Sequence, residues 1–317
     1  MNFYSVNAYY LEQYIAFKRN LGYALSNTYS FKMFDDFTIE NEVKSIGLTK
    51  AFAFKWMEKR PNESDTTRYK RANDIISFSV YLNQQGYTSY IPKQLKSPKS
   101  TFTPYIFSQE ELKSFFACCD TIEMPKQSTM KYVLPIIFRM VYGCGLRINE
   151  ALSLKNEDIN LDEGYIIIRD TKNDSDRILP LSSSLITICK LYKTGYLLTG
   201  KFNSDYFFVQ TNDKKCSSDT VYRWFRKILW EANISHGGKG LGPRVHDFRH
   251  SFSVHSLAEM SRKDMDLYYC LPILSRYLGH SSLEATDKYV RLTSDMYPEL
   301  IQDMNNLYSY LFPEVKL

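Results

Sequence analysis

Apolar residues recur along this chain with two different periods, and the change of period divides it into parts. Val6, Tyr10, Tyr14, Phe17 and Leu21 fall at spacings of three and four, which puts them on one face of a helix that Gly22 ends. Thr49 is placed to cap a second helix carrying Phe52 and Trp56, and Thr66 or Thr67 a third carrying Ile76 and Val80. The first hundred residues therefore predict an all-helical unit. After Gly86 the stretch SYIPKQLKSPKSTFTPYIFS sets three prolines among serines and lysines, which suits neither a helix nor a central strand. It predicts a linker at about 97 to 107, between a domain at 1–97 and a larger one at 108–317.

Beyond the linker, Ser108 followed by Glu111 is a capping-box pattern opening a helix through Leu112 and Phe116. The convincing β signal is GYIIIRDTKNDSDRILPLS, where two apolar runs flank the turn-rich Thr171 to Asp176 and predict a hairpin. Helical periodicity returns around Trp224 to Trp230, Phe248 to Ala258 and Ser281 to Tyr289. The expected fold class is mainly α: a small helical domain tethered to a mostly helical one that carries a small β-hairpin.

Composition narrows the class. With 317 residues, 44% hydrophobic and 24% charged, the chain can bury two cores and is no disordered tail. A net charge of +5 leans toward an anionic partner without establishing one. Residues 1–97 hold 13 Lys/Arg against 9 Asp/Glu and residues 98–317 hold 27 against 26, so the excess sits on the small domain. There Arg68, Lys70 and Arg71 cluster at one helix start, a pattern that a solvated face explains about as well as a phosphate contact does. Six cysteines without a C-x-x-C pair or matched Cys/His spacing suggest buried thiols rather than zinc or disulfides. The N-terminus lacks a basic start followed by an apolar run, and no uninterrupted apolar stretch approaches membrane-spanning length, which together predict a cytoplasmic protein.

Three segments carry candidate chemistry. In GLRINEAL, Arg147 and Glu150 share a helix face, and an arginine in so apolar a segment needs an anion, either Glu150 or one that arrives. In HDFRH, His246, Arg249 and His250 stand at i, i+3 and i+4, and a guanidinium beside an imidazole suits a phosphodiester. No Cys or Asp at matching spacing points to a metal. In YLGHSSLEATDKYV, Ser281 and Glu284 form a cap that puts His280 at a helix entrance, with Tyr289 about two turns on beside Thr286 and Asp287.

Taken in order, Arg147, Lys172 in DTKNDSDRILPL, His246, Arg249, His280 and Tyr289 resemble the signature of the tyrosine recombinase, or phage integrase, family. The resemblance spans about 108 to 292. It implies a small helical core-binding (SAM-like) domain and a mostly helical catalytic domain that clamp DNA between them. The 31 residues from Arg249 to His280 exceed the simplest pattern, and LPILSRYLGH resembles recombinases carried by mobile elements.

That resemblance implies a division of labour. Arg147 and Arg249 hold the charge that builds on a phosphodiester under attack, and His280 adds a hydrogen bond. Tyr289 attacks to give a 3′-phosphotyrosyl link, since a phenol can both enter and leave. His246 is the expected base for the phenol, Lys172 the acid for the departing 5′ oxygen, and Glu150 orients the cations. Neither metal nor other cofactor is required. Leu300, Ile301, Met304, Leu307 and Leu311 recur near helical spacing, and the resemblance implies that 299–312 packs in trans within a tetramer on DNA. Two rival readings are a type IB topoisomerase, acting without synapsis, and a non-catalytic DNA-binding accessory protein.

Overall fold

The structure, a computed structural model, describes residues 2–23, 28–98, 102–125, 128–169, 176–197, 203–210, 213–238, 242–263, 265–280 and 282–297. It divides into two compact units, 1–102 and 103–317, the break falling inside the proline-rich stretch.

In the first unit α1 (Ala8–Asn20), α2 (Tyr29–Glu40) and α3 (Lys50–Met57) each pack on the long α4 (Asp65–Gln84). Leu11, Phe34, Trp56, Ile75, Phe78 and Leu82 fill the core. Thr49 caps α3 by accepting the N–H of Phe52, as its position predicts. The cap of α4 is Ser64, which accepts from Thr67, rather than Thr66 or Thr67 itself. The apolar spacing does not predict α2. It is held by burial of Phe31 and Phe34 and by the buried carboxylate of Asp35, which accepts the N–H groups of Tyr4 and Ser5 at 2.8 and 2.9 Å.

One expectation fails here. Arg71 is buried, pairs with Glu63 at 2.8 Å, lies over the Trp56 ring and donates to the Trp56 and Glu58 carbonyls. It is a core cation and is not available to a phosphate, because it points from α4 onto α3, one residue round the helix from exposed Lys70. Arg68 is half-buried and donates to Met57 O at 2.8 Å.

The second unit is mostly helical with one small antiparallel sheet. Ser108 and Glu111 make the full capping box of α5 (Gln109–Thr121). Helix α6 (Met130–Gly143) runs through the core, where Phe115, Phe138, Phe225 and Phe248 pack edge to face and tilted. After the short α7 (Ile148–Ser153), β1 (Ile159–Asn160), β2 (Tyr165–Ile168) and β3 (Arg177–Pro180) form a sheet in that order. The β2–β3 register pairs Ile168 with Arg177, so the predicted hairpin is present with a third strand beside it. Then come α8 (Ser183–Gly195), α9 (Ser218–Glu231), α10 (Asp247–Arg262), α11 (Leu267–Leu278) and α12 (Glu284–Met296). The last three share a core of Val254, Leu257, Leu274, Leu278, Tyr289 and Leu292. Among the described residues no helix is long and apolar enough to cross a membrane.

Candidate active site

Two helix ends position the site. At the end of α6, Leu146 N–H bonds to Val141 O and Gly145 N–H to Tyr142 O, with Gly145 at φ +58°. At the end of α11, His280 N–H bonds to Ser275 O and Gly279 N–H to Arg276 O, with Gly279 at φ +66°. Both are Schellman caps, in which a left-handed glycine turns the chain sharply off the helix. The turns throw Arg147 and His280 toward one another.

Arg249 sits between these two ends. Its guanidinium, 1% exposed, donates to Gly145 O at 2.7 Å and to Leu278 O at 2.6 Å, where the negative ends of α6 and α11 favour a cation. Burial, with Arg147 nearby, pulls Arg249 down to about 10, which leaves it charged at neutral pH.

Glu150 gathers the cations. It accepts the backbone N–H of Arg147 at 2.9 Å and the Arg147 guanidinium at 2.7 Å, while Arg249 lies at 3.8 Å. Arg177 from β3 adds a fork at 3.2 and 2.7 Å. Burial pushes the Glu150 carboxyl up, but Arg177 and Arg147 outweigh it and hold the group below the usual carboxylate range. Three guanidinium groups thus share a single carboxylate, an arrangement that would welcome an anion. The Arg147 side chain remains 32% exposed and lines a cleft of about 520 Å³ together with Glu150, Lys155, Arg169 and His246.

Tyr289 comes in from α12. Its ring stacks on His280 with centroids 6.3 Å apart, and it is 1% exposed. The Nδ1 of His280 is 2.8 Å from the buried Thr286 hydroxyl, which fixes the ring and leaves Nε2 for another partner. Burial raises the Tyr289 phenol above its ordinary value, and Arg249 works against that rise. Such an arrangement brings a buried phenol, paired guanidiniums and imidazoles to one place, the elements of attack on a phosphodiester.

Residues 106–296 match the phage integrase family. The chain belongs to this family. It is 30% identical to the tyrosine recombinase XerA of Pyrococcus furiosus over 289 residues, covering 85% of this chain and 92% of that protein. XerA of Pyrococcus horikoshii is likewise 30% identical, over 72% of this chain and 71% of its own length. Among solved structures, a XerH site-specific recombinase in a pre-cleavage complex with its difH substrate aligns with a TM-score of 0.59 at 21% identity, over 90% of this chain and 75% of that one. The Tn1549 transposon integrase with circular intermediate DNA aligns at 0.57 and 16% identity, over 88% and 94%. These likenesses show the same fold. The enzyme is a tyrosine site-specific recombinase.

Within this recombinase the structure brings Arg147, Glu150, Arg249, His280 and Tyr289 together in one chain. The expectation for His246 needs correcting. It is the Nδ1 of His250, not a nitrogen of His246, that meets the Tyr289 hydroxyl, at 2.7 Å. His246 is exposed and packs edge-on against His250, centroids 4.7 Å apart. His246 is the N-cap of α10 and His250 lies four residues on, on the same face, with α12 packed on α10. The expected Ser281 cap falls outside the described residues, and α12 begins at Glu284 with Leu283 before it. Lys172 and 299–312 also lie outside the described residues.

The sequence alone gives no role in the site to Arg177, and none to His250 or Thr286 beyond standing near the signature residues. HDFRH did show His250 on the right face, whereas nothing in DSDRILPL distinguishes Arg177 from a surface strand cation. Among the described residues no group of three or more His, Cys, Asp or Glu gathers as metal ligands would.

Proposed function

We propose that this recombinase cuts and rejoins double-stranded DNA at specific sites through a 3′-phosphotyrosyl link to Tyr289. What supports it most is the convergence of Arg147, Arg249, His280 and Tyr289, from four separate segments, on one buried cationic pocket beside an open cleft.

Arg147 and Arg249 take the non-bridging oxygens of the scissile phosphate, stabilising charge that grows as phosphorus becomes five-coordinate. His280, with Nδ1 tied to Thr286, offers Nε2 to the same group. Glu150 fixes the arginines, and Lys172 protonates the departing 5′ oxygen. The bond energy stays in the phosphotyrosine, so rejoining needs no outside energy source. The assembly is a tetramer at synapsis, with 299–312 packing on a neighbouring subunit, and the setting is the cytoplasm. Residues 1–97 form the core-binding domain, with Arg68 and exposed Lys70 as its phosphate contacts.

A nicked suicide duplex tests this. The intact protein should yield a denaturation-resistant adduct, and Tyr289→Phe should abolish it while still shifting the duplex on a native gel. An adduct that survives Tyr289→Phe removes Tyr289 from the role. Relaxation of supercoiled plasmids lacking any specific site would instead favour the topoisomerase reading.

A further inference from the structure

Within the proposed reaction, the base for Tyr289 is still to be placed. His250 and Tyr289 are both buried, 4% and 1% exposed, with Nδ1 and Oη 2.7 Å apart and ring centroids 5.7 Å apart. A buried tyrosine hydroxyl needs a partner in any protein, and a serine or a carbonyl would serve a merely structural bond. Here Ser253 also bonds to the hydroxyl, but the partner at 2.7 Å is titratable and the hydroxyl is that of the nucleophile. His250 also follows Arg249 directly on α10, so one helical turn sends a guanidinium toward the ends of α6 and α11 and an imidazole toward α12.

The charge state suits acceptance. Burial first, then His246, Lys288, Arg249 and His280 around it, push His250 down to about 3, so the ring is neutral at physiological pH. A neutral imidazole whose proton sits on Nε2 presents Nδ1 as an acceptor to that hydroxyl.

We propose that His250 is the general base of this active site, a role that rests on the reading of Tyr289 as nucleophile. As Tyr289 Oη bonds to phosphorus, the O–H bond breaks and the proton passes to His250 Nδ1. The bond from phosphorus to the 5′ oxygen breaks in the same displacement, and that oxygen takes a proton from the general acid. On rejoining, the 5′ hydroxyl returns its proton to that acid as it attacks, and Tyr289 recovers its own from His250. Transfer need not precede attack, because the phenol becomes far more acidic as its oxygen joins phosphorus. Arrival of the phosphate against Arg147 and Arg249 also offsets the cations that weaken His250 as a base.

Single-turnover cleavage of the suicide duplex by the full-length protein separates this from a structural bond. His250→Gln keeps an acceptor oxygen and removes the base. It should bind DNA normally yet form adduct on the order of 100-fold more slowly. A duplex with sulfur at the 5′ bridging position, whose leaving group needs no proton, should not restore the rate. A more acidic 3-fluorotyrosine at position 289 should restore part of it. Adduct formation by His250→Gln at or above the unsubstituted rate overturns the proposal. If substitution at 250 prevents folding, nitrogen NMR of the unsubstituted protein decides. Nδ1 must be unprotonated and must shift in Tyr289→Phe, and a protonated Nδ1 rules the base out. Absence of any Tyr289-dependent adduct in the unsubstituted protein would remove the recombination chemistry itself, and His250's part with it.

Discussion

Arg177 on β3 grips Glu150 on α7 with two bonds, at 3.2 and 2.7 Å, and its Nε donates to Tyr277 O on α11 at 3.1 Å. The base of the hairpin, the carboxylate that orients Arg147 and the helix that delivers His280 are therefore tied by a single side chain. Arg177→Ala leaves Glu150 hydrogen-bonded by Arg147, with Arg249 at 3.8 Å, and lets the Gly279 turn, whose glycine lies against the Arg177 side chain, relax. Adduct formation should fall by roughly 10- to 100-fold, the range seen when outer partners of a catalytic group are lost. Arg177→Lys should recover only part, since an ammonium cannot make the fork. Single-turnover rates at saturating protein check this, and an Arg177→Lys variant as fast as the parent would show that the fork is dispensable.

The two cap glycines should differ in cost. A Cβ on Gly145 would stand 2.5 Å from the Phe252 ring and 3.0 Å from Leu278, whereas on Gly279 it would stand 2.9 Å from the end of the Arg177 side chain. Left-handed backbone alone costs a non-glycine residue about 1–2 kcal/mol. Gly145→Ala adds an overpacking penalty of about 1–3 kcal/mol in the core. Urea titration should thus find Gly145→Ala the less stable of the two, while Gly279→Ala loses activity out of proportion to stability because Arg177 must move.

Asp247 makes a pH prediction. Its carboxylate is buried, accepts the N–H of Arg244 at 2.8 Å, and is pushed up by burial to about 6. In the unfolded chain the same group titrates near 3.9. Folding therefore favours the protonated form, and this contribution is present at low pH and is lost as pH rises from about 4 through about 6. Asp247→Asn should remove that slope, so that its stability relative to the parent improves between pH 4 and pH 7 by about 2–3 kcal/mol. Denaturant titrations at the two values measure it, and parallel profiles would show that Asp247 is not titrating there.

Adjacent cations on α4 should behave in opposite ways. Lys70 is exposed, and Lys70→Ala should weaken DNA binding uniformly across sequences and reduce the salt slope by about 1. Arg71 is 3% exposed and paired with Glu63, so removing it strands a buried carboxylate at a cost of about 3–5 kcal/mol. Thermal melts and binding isotherms on both variants separate the two effects.

Much of this architecture is local and was therefore readable. The Ser108–Glu111 box and the Thr49 cap are decided within three residues, by hydroxyls and a carboxylate satisfying the orphan N–H groups of a first helical turn. The glycines of YGCGLR and YLGHSS likewise mark helix ends, because left-handed backbone is cheap only there. Helix α2 escaped notice because its apolar residues are interrupted by Asp35, a buried carboxylate whose partners, Tyr4 and Ser5, lie 31 and 30 residues away.

What the linear order of residues determined by itself was the family signature and the helix faces on which Arg249, His250 and Tyr289 sit, since helical periodicity follows from backbone geometry. Tertiary packing alone decided which of two histidines on one face meets the phenol 39 residues on, and that a strand arginine clamps a carboxylate 27 residues before it. It also decided that Arg71 lies inside while Lys70, its neighbour, lies outside. Each of these depends on how high one element crosses another, a quantity set by the shapes of many side chains together rather than by any short stretch of them.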